Sequence, residues 1–242
     1  MAGAAERLRM ELHMKIKTTI SILLLMAGAF MTMALTGCGG GGGGENTDPA
    51  SMVATLCAGT LTYQDSGEQN ILFAAVKGAG SGVSGWVEDQ NGKKIANLSY
   101  VSAANSQEAT LTAANTPLTP GKYTLYYSVN SETFSVSRTL NWGAALPRFQ
   151  SMPNPPEWNP TNRTVSVAPV TVTPGIAAYY LRVYSAISYD YLYTQSTPVP
   201  GGVLSEYLSS SNNQFRIMVV ADVSEGAQIV ATARYFFKAD TY

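Results

Sequence analysis

Apolar residues recur at every second position along most of this chain, and no stretch after Asp48 repeats at 3.6 residues over three turns. Tyr123, Leu125, Tyr127 and Val129 alternate with Lys122, Thr124, Tyr126 and Ser128. Phe134, Val136, Leu140 and Trp142 alternate with Ser135, Ser137, Thr139 and Asn141, with Arg138 interrupting the apolar side. Side chains two apart share a strand face, so this pattern predicts half-buried strands. Further strands are expected over 52–63, 70–77, 83–88, 94–101 and 107–113, then 163–172, 177–187, 189–195, 202–208, 214–222 and 227–237. Asp89-Gln90-Asn91-Gly92 separates two of them and suits a hairpin turn, because Asn-Gly accepts the positive φ that a tight turn needs. Many short strands separated by turn signals predict an all-β chain built from antiparallel sandwiches.

Leu118-Thr119-Pro120-Gly121-Lys122-Tyr123-Thr124-Leu125 sharpens this expectation. It resembles the L-x-P-G-x-Y-x-L corner of immunoglobulin-like and fibronectin type III-like domains. The resemblance implies that the Tyr123 hydroxyl returns to the preceding backbone. The segment 146–161 carries Pro147, Pro153, Pro155, Pro156 and Pro160 and is expected to be a linker or an edge strand. The resulting division is a first β-sandwich over 51–145, a Pro-rich linker over 146–161 and a second β-sandwich over 162–242. The second half resembles a fibronectin type III-like domain in its last hairpin, 214–237, but lacks the Pro-Gly-x-Tyr corner.

The leader has its own logic. Arg7, Arg9, Lys15 and Lys17 precede the apolar run 18–35, which ends in Leu35-Thr36-Gly37-Cys38. A basic segment, an apolar core and small residues before a cut site make a secretory signal, although a run this long also has the length of a membrane span. Leu-Thr-Gly-Cys resembles the lipobox of bacterial lipoproteins. That resemblance implies a signal peptide over 1–37, with the true start at Met1 or Met14, and diacylglycerol on Cys38 as the membrane attachment. Gly39 rather than Asp after the Cys implies the outer membrane in a Gram-negative envelope. Gly39 to Gly44 opens a flexible tether that extends to residue 50.

Without residues 1–37, 14 acids face 11 bases, a net charge near −3 with no basic stripe, so nucleic acid is not an expected partner. The sole histidine, His13, lies in the leader. Histidine-based acid–base catalysis, Ser-His-Asp and Cys-His nucleophiles and most zinc sites are therefore not expected after it. No cofactor or metal is expected either. Glu88 to Gly92 holds oxygen ligands but lacks calcium-loop spacing. With Cys38 lipidated, Cys57 has no partner in the chain, and its apolar neighbours suggest an inert core thiol rather than a reactive or intermolecular one.

Tyr180, Arg182 and Tyr184 share one face of a strand whose other face, Tyr179, Leu181 and Val183, suits a core. Two rings flanking a guanidinium make a candidate partner-binding surface; ordinary cross-strand tyrosine packing is the alternative. Trp86 is expected in the core, and Trp142 and Trp158 between the domains. The function expected is a non-enzymatic envelope lipoprotein binding a protein or glycan. A passive structural subunit and a glycan-active enzyme built on two converging carboxylates are the other readings.

Overall fold

The computed structural model describes residues 48–143, 146–150, 153–168, 171–173, 177–185, 191–194, 204–207, 214–238 and 240–241. The expected signal peptide, with Cys38 and the glycine run, therefore lies outside the described residues. The described residues contain no α-helix, only two short 3-10 turns, Pro49–Ser51 and Ser102–Ala104.

The first half contains β1 (Val53–Tyr63), β2 (Gly67–Lys77), β3 (Ser84–Glu88), β4 (Lys94–Asn97), β5 (Ser99–Val101), β6 (Ser106–Thr112), β7 (Gly121–Val129) and β8 (Glu132–Leu140). Two sheet arrangements result, β1-β2-β6-β5 and β4-β3-β7-β8. With β1 as strand A, these are the A-B-E-D and C′-C-F-G orders of an immunoglobulin-type sandwich. Leu56, Leu72, Ala74 and Val76 meet Val87, Tyr123, Leu125 and Tyr127 between them. The tyrosine corner forms as expected: the Tyr123 hydroxyl donates to Thr119 O at 2.8 Å and receives Thr119 N at 3.3 Å. The Asp89–Gly92 turn also forms, with Gly92 at φ +74° and Asp89 Oδ1 accepting from Asn91 N and Lys93 N, each at 2.9 Å.

The second half contains β9 (Arg148–Phe149), β10 (Glu157–Asn159), β11 (Thr164–Val167), β12 (Val172–Thr173), β13 (Ala177–Ser185), β14 (Tyr191–Thr194), β15 (Leu204–Tyr207), β16 (Gln214–Glu225), β17 (Gln228–Phe236) and β18 (Asp240–Thr241). Its arrangements β10-β11-β15 and β14-β13-β16-β17 follow the A-B-E and C′-C-F-G pattern. Val165, Val167, Tyr179, Leu181, Val183, Ile217 and Val219 fill its core. The Pro-rich stretch supplies two short edge strands, β9 paired with β12 and β10 paired with β11.

The halves keep separate cores but share a sheet. β17 pairs in parallel with β1 from Ala58↔Ala231 to Tyr63↔Phe236, giving the strand path β14-β13-β16-β17-β1-β2-β6-β5. Gly59 permits this seam, since a Cβ there would stand 2.2 Å from the Thr232 carbonyl oxygen. Tyr63 stacks on Phe236 at 5.5 Å, Thr60 Oγ1 donates to Pro147 O at 2.8 Å, and Arg138 donates to Gln228.

The shared sheet is strongly rolled. Arg182 on β13 and Glu108 on β6 are five strand spacings apart, ~24 Å in a flat sheet. Their side chains nevertheless meet at 2.6 Å. β14, at one edge, lies against the Ser102–Ala104 turn beside the other edge. One face of the rolled sheet carries the two sandwich cores. The other turns inward and carries Arg182, Asp222, Thr232 and Arg234, all buried.

Candidate functional site

Tyr180, Arg182 and Tyr184 lie on that inward face. Strand alternation places them on one face of β13 as the sequence implies, but that face is not open to solvent at its centre. Arg182 is only 7% exposed. Its Nη1 and Nη2 donate to Glu108 Oε2 and Oε1 at 2.6 and 3.0 Å. Tyr180, half-buried, donates to Asp222 Oδ2 at 2.6 Å and packs beside the Arg182 guanidinium. Tyr184 tilts against Phe236 at 5.4 Å. The expected display of two rings around an exposed guanidinium is therefore replaced by an internal network. The cause is non-local, because β17 docking on β1 brings β6 of the first half across from β13.

Sequence reading missed Glu108, Asp222 and Arg234, which complete this network. Each is the one charged residue in its segment (SQEATLT, MVVADV, ATARYFF), and a buried charge needs an internal partner. Arg234 stacks on the Phe73 ring at 3.8 Å, and its Nη1 donates to Thr110 Oγ1 at 3.1 Å. Burial opposes ionisation of Glu108, but the Arg182 charge and hydrogen bonds outweigh it and hold the carboxyl below its ordinary 4.5. Burial first, then the Asp222 carboxylate, push the Tyr180 phenol well above its usual range. Cys57 packs in a small buried cluster with Phe73 and Ala75. Its thiol is pushed up to about 12, chiefly by burial, with Asp222 adding. It is a buried free thiol, placed as expected of a core cysteine.

The tryptophans depart from expectation. Trp86 is not in the core. Val87 occupies that position, and Trp86 stands half-buried on the outer face of the β4-β3-β7-β8 sheet. There it stacks on Tyr126 at 5.1 Å, with Lys94 over its ring and its Nε1 donating to Glu88 at 2.9 Å. Hydroxyl pairs flank the rings, Thr124 with Ser137 and Ser128 with Thr133, both at 2.9 Å. Trp142 packs edge-on to Tyr123 and donates to Ile71 O at 2.7 Å, and Trp158 packs on the second core. Each belongs to its own half rather than to a boundary between them.

Among the described residues, no group of three or more His, Cys, Asp or Glu is arranged to hold a metal ion. No helix among them is long and apolar enough to cross a membrane.

No family model matches the chain, and no curated protein does. Among solved structures, the BSP domain of a biofilm-associated protein aligns at 14% identity and a TM-score of 0.24, over 76% of this chain and 29% of that one. Three immunoglobulin domains of titin, I67–I69, align at 16% and 0.24, over 77% and 65%. A tetra-tandem repeat from the extending region of a large adhesion protein aligns at 16% and 0.28, over 78% and 49%. The chain thus spans less than two thirds of the length of each. Similarities this low carry no functional argument.

Proposed function

We propose that this chain is a non-enzymatic lipoprotein of the bacterial cell envelope, anchored in the outer membrane through diacylglycerol on Cys38. The observation that carries this reading is Leu35-Thr36-Gly37-Cys38 behind a basic and then apolar leader, followed at once by six glycines. A lipid at one end and slack beyond it suit a folded body held off the membrane surface. The absence of histidine after the leader supports a binding role over catalysis.

The proposed contact surface is the outer face of β4-β3-β7-β8, for a protein or glycan of the envelope. Trp86 and Tyr126 offer apolar ring surface, while Glu88, Lys94 and the hydroxyl pairs offer polar groups at their edges. Amphipathic rings beside small hydroxyl residues make contact area at low entropic cost.

The test begins with the full chain expressed in a Gram-negative host with a clickable palmitate. The wild type is expected to take up label and sediment with outer membranes, and Cys38→Ser to lose both properties. An unlabelled or soluble wild type overturns the anchoring. In-cell cross-linking from position 135, opposite Tyr126 on β8, is then expected to trap one envelope component. Unchanged capture by Trp86→Ala/Tyr126→Ala would instead favour a passive structural subunit. The seam, which joins both sandwiches into one body, is the feature that favours that second reading.

A further inference from the structure

The sheet β4-β3-β7-β8 ends at β8, and among the described residues no strand pairs beyond it. β4, at the other edge, is four residues long, begins at Lys94 and pairs across a register shift at Val87/Glu88. Short length, lysine and bulges keep an edge from recruiting another strand. β8 has none of these. It is nine residues long, pairs with β7 in unbroken register and holds neither proline nor lysine. Its outer side chains, Thr133, Ser135, Ser137 and Thr139, are all exposed, and on its inner side Phe134 and Val136 are only half-buried.

The backbone limits how another strand could add to this edge. β7 and β8 join through Asn130 and Ser131, both at positive φ, in a two-residue turn closed by Val129 and Glu132. Counted from that closing pair, Glu132, Phe134, Val136, Arg138 and Leu140 exchange backbone hydrogen bonds with β7. The N–H and C=O groups of Thr133, Ser135, Ser137 and Thr139 therefore point out of the free edge. A second β8 can pair antiparallel with these groups only where odd-numbered residues oppose each other. With Ser135 on the two-fold axis, Thr133 of each copy faces Ser137 of the other, and about six backbone hydrogen bonds form.

The side chains select the same register. It sets Glu132 against Arg138 of the second copy, and Phe134 against Val136, each pair occurring twice. Opposite charges and aromatic–β-branched pairs are favourable cross-strand neighbours. Glu132 is exposed and makes no ion pair among the described residues. Arg138 donates to Gln228 through Nη2, and a guanidinium has further N–H groups for a carboxylate. An axis at Ser137 would instead set Arg138 against Val136, and an axis at Thr133 would set Glu132 against Phe134. Arg138 is an inward charge that deters a neutral strand, yet this chain carries its complement at the matching distance.

We propose that β8 is a self-association edge, on which two copies of this chain pair β8 to β8, antiparallel, with Ser135 on the two-fold axis. Their four-stranded sheets then join into one of eight, and the contact is isologous. A single strand pair is a narrow interface, so the dimer belongs to the weak, reversible class. This edge is independent of the lipid anchor and of any ligand on the Trp86 face.

The test places one added cysteine on β8 of the purified chain. In the proposed register the two Ser135 Cα atoms stand about 5.5 Å apart, within disulfide reach, while the two Thr139 Cα atoms stand ~27 Å apart. Under mild oxidation Ser135→Cys is expected to give a covalent dimer. Thr139→Cys is expected to stay at the baseline of the unaltered chain, whose Cys57 is buried. Analytical ultracentrifugation then reads the charges without an added thiol. Glu132→Lys and Arg138→Glu are each expected to weaken the dimer at least about 10-fold, because like charges then oppose each other at both ends. An equimolar mixture of these two variants restores opposite pairs and is expected to regain association. Equal cross-linking at 135 and 139, no covalent dimer from Ser135→Cys, or a mixture that associates no better than either variant alone would each overturn the proposal.

Discussion

At the scale of single residues, the decisive contacts are buried charges. Arg182 and Glu108 are both about nine-tenths buried, so their pairing is weakly screened and removal of one leaves the other stranded. Glu108→Ala is expected to destabilise the fold by about 3–5 kcal/mol in urea titration. Replacing both partners by Leu and Met should cost far less, which separates the penalty of a stranded charge from the worth of the pair. The pH dependence has a definite sign. The Glu108 carboxyl is held below its unfolded value, so its contribution is full above about pH 4.5 and is lost as pH falls through the lower folded value. Urea midpoints measured downward from pH 5 should fall, and should fall less in Glu108→Gln. Cys57 runs the other way at high pH. Its folded value is raised, so stability declines as pH climbs from the ordinary 9.0 towards about 12. A thiol reagent at pH 8 should leave Cys57 untouched in the folded protein and modify it fully in denaturant.

At the scale of elements, the seam and the tyrosine corner are the points most open to test. Gly59→Ala would push a Cβ against the Thr232 backbone, which cannot swing aside as a side-chain tip could. It is expected to cost about 1–3 kcal/mol and to loosen hydrogen-exchange protection along both β1 and β17. Tyr123→Phe removes the hydrogen bond to Thr119 and should cost about 1 kcal/mol, measured by the shift in urea midpoint. The strands themselves were readable because each depends on its own alternation. Tyr123, Leu125, Tyr127 and Val129 point inward in the fold as the pattern in Lys122 to Val129 implies. The corner was readable because its residues are contiguous. The environment of β13 was not. Alternation divides Tyr179, Leu181 and Val183 from Tyr180, Arg182 and Tyr184 correctly, but it cannot say what a second face meets. That depends on β17 choosing β1, a pairing across some 170 residues that no local pattern encodes. Trp86 was misplaced for a related reason. Bulk and apolarity suggest burial, yet the pleat sets its neighbour Val87 inward, and only the pairing with Tyr126 fixes which face is which.

At the scale of the whole molecule, two sandwiches with separate cores behave as one body only if the seam holds. Exposed cross-links such as Arg148 to Glu68 add little, about 0–1 kcal/mol. The parallel β1–β17 ladder, the Tyr63–Phe236 stack and the buried Arg182–Glu108 pair carry the coupling. A body of this kind would present its outer faces in a fixed relation to each other. The tryptophans make this testable, because Trp86 and Trp142 report on the first half and Trp158 on the second. In urea unfolding of the chain, with fluorescence followed separately in variants retaining either Trp86 or Trp158 alone, the shared sheet predicts coincident midpoints and slopes. Two separated transitions, with one half folded while the other is unfolded, would contradict it.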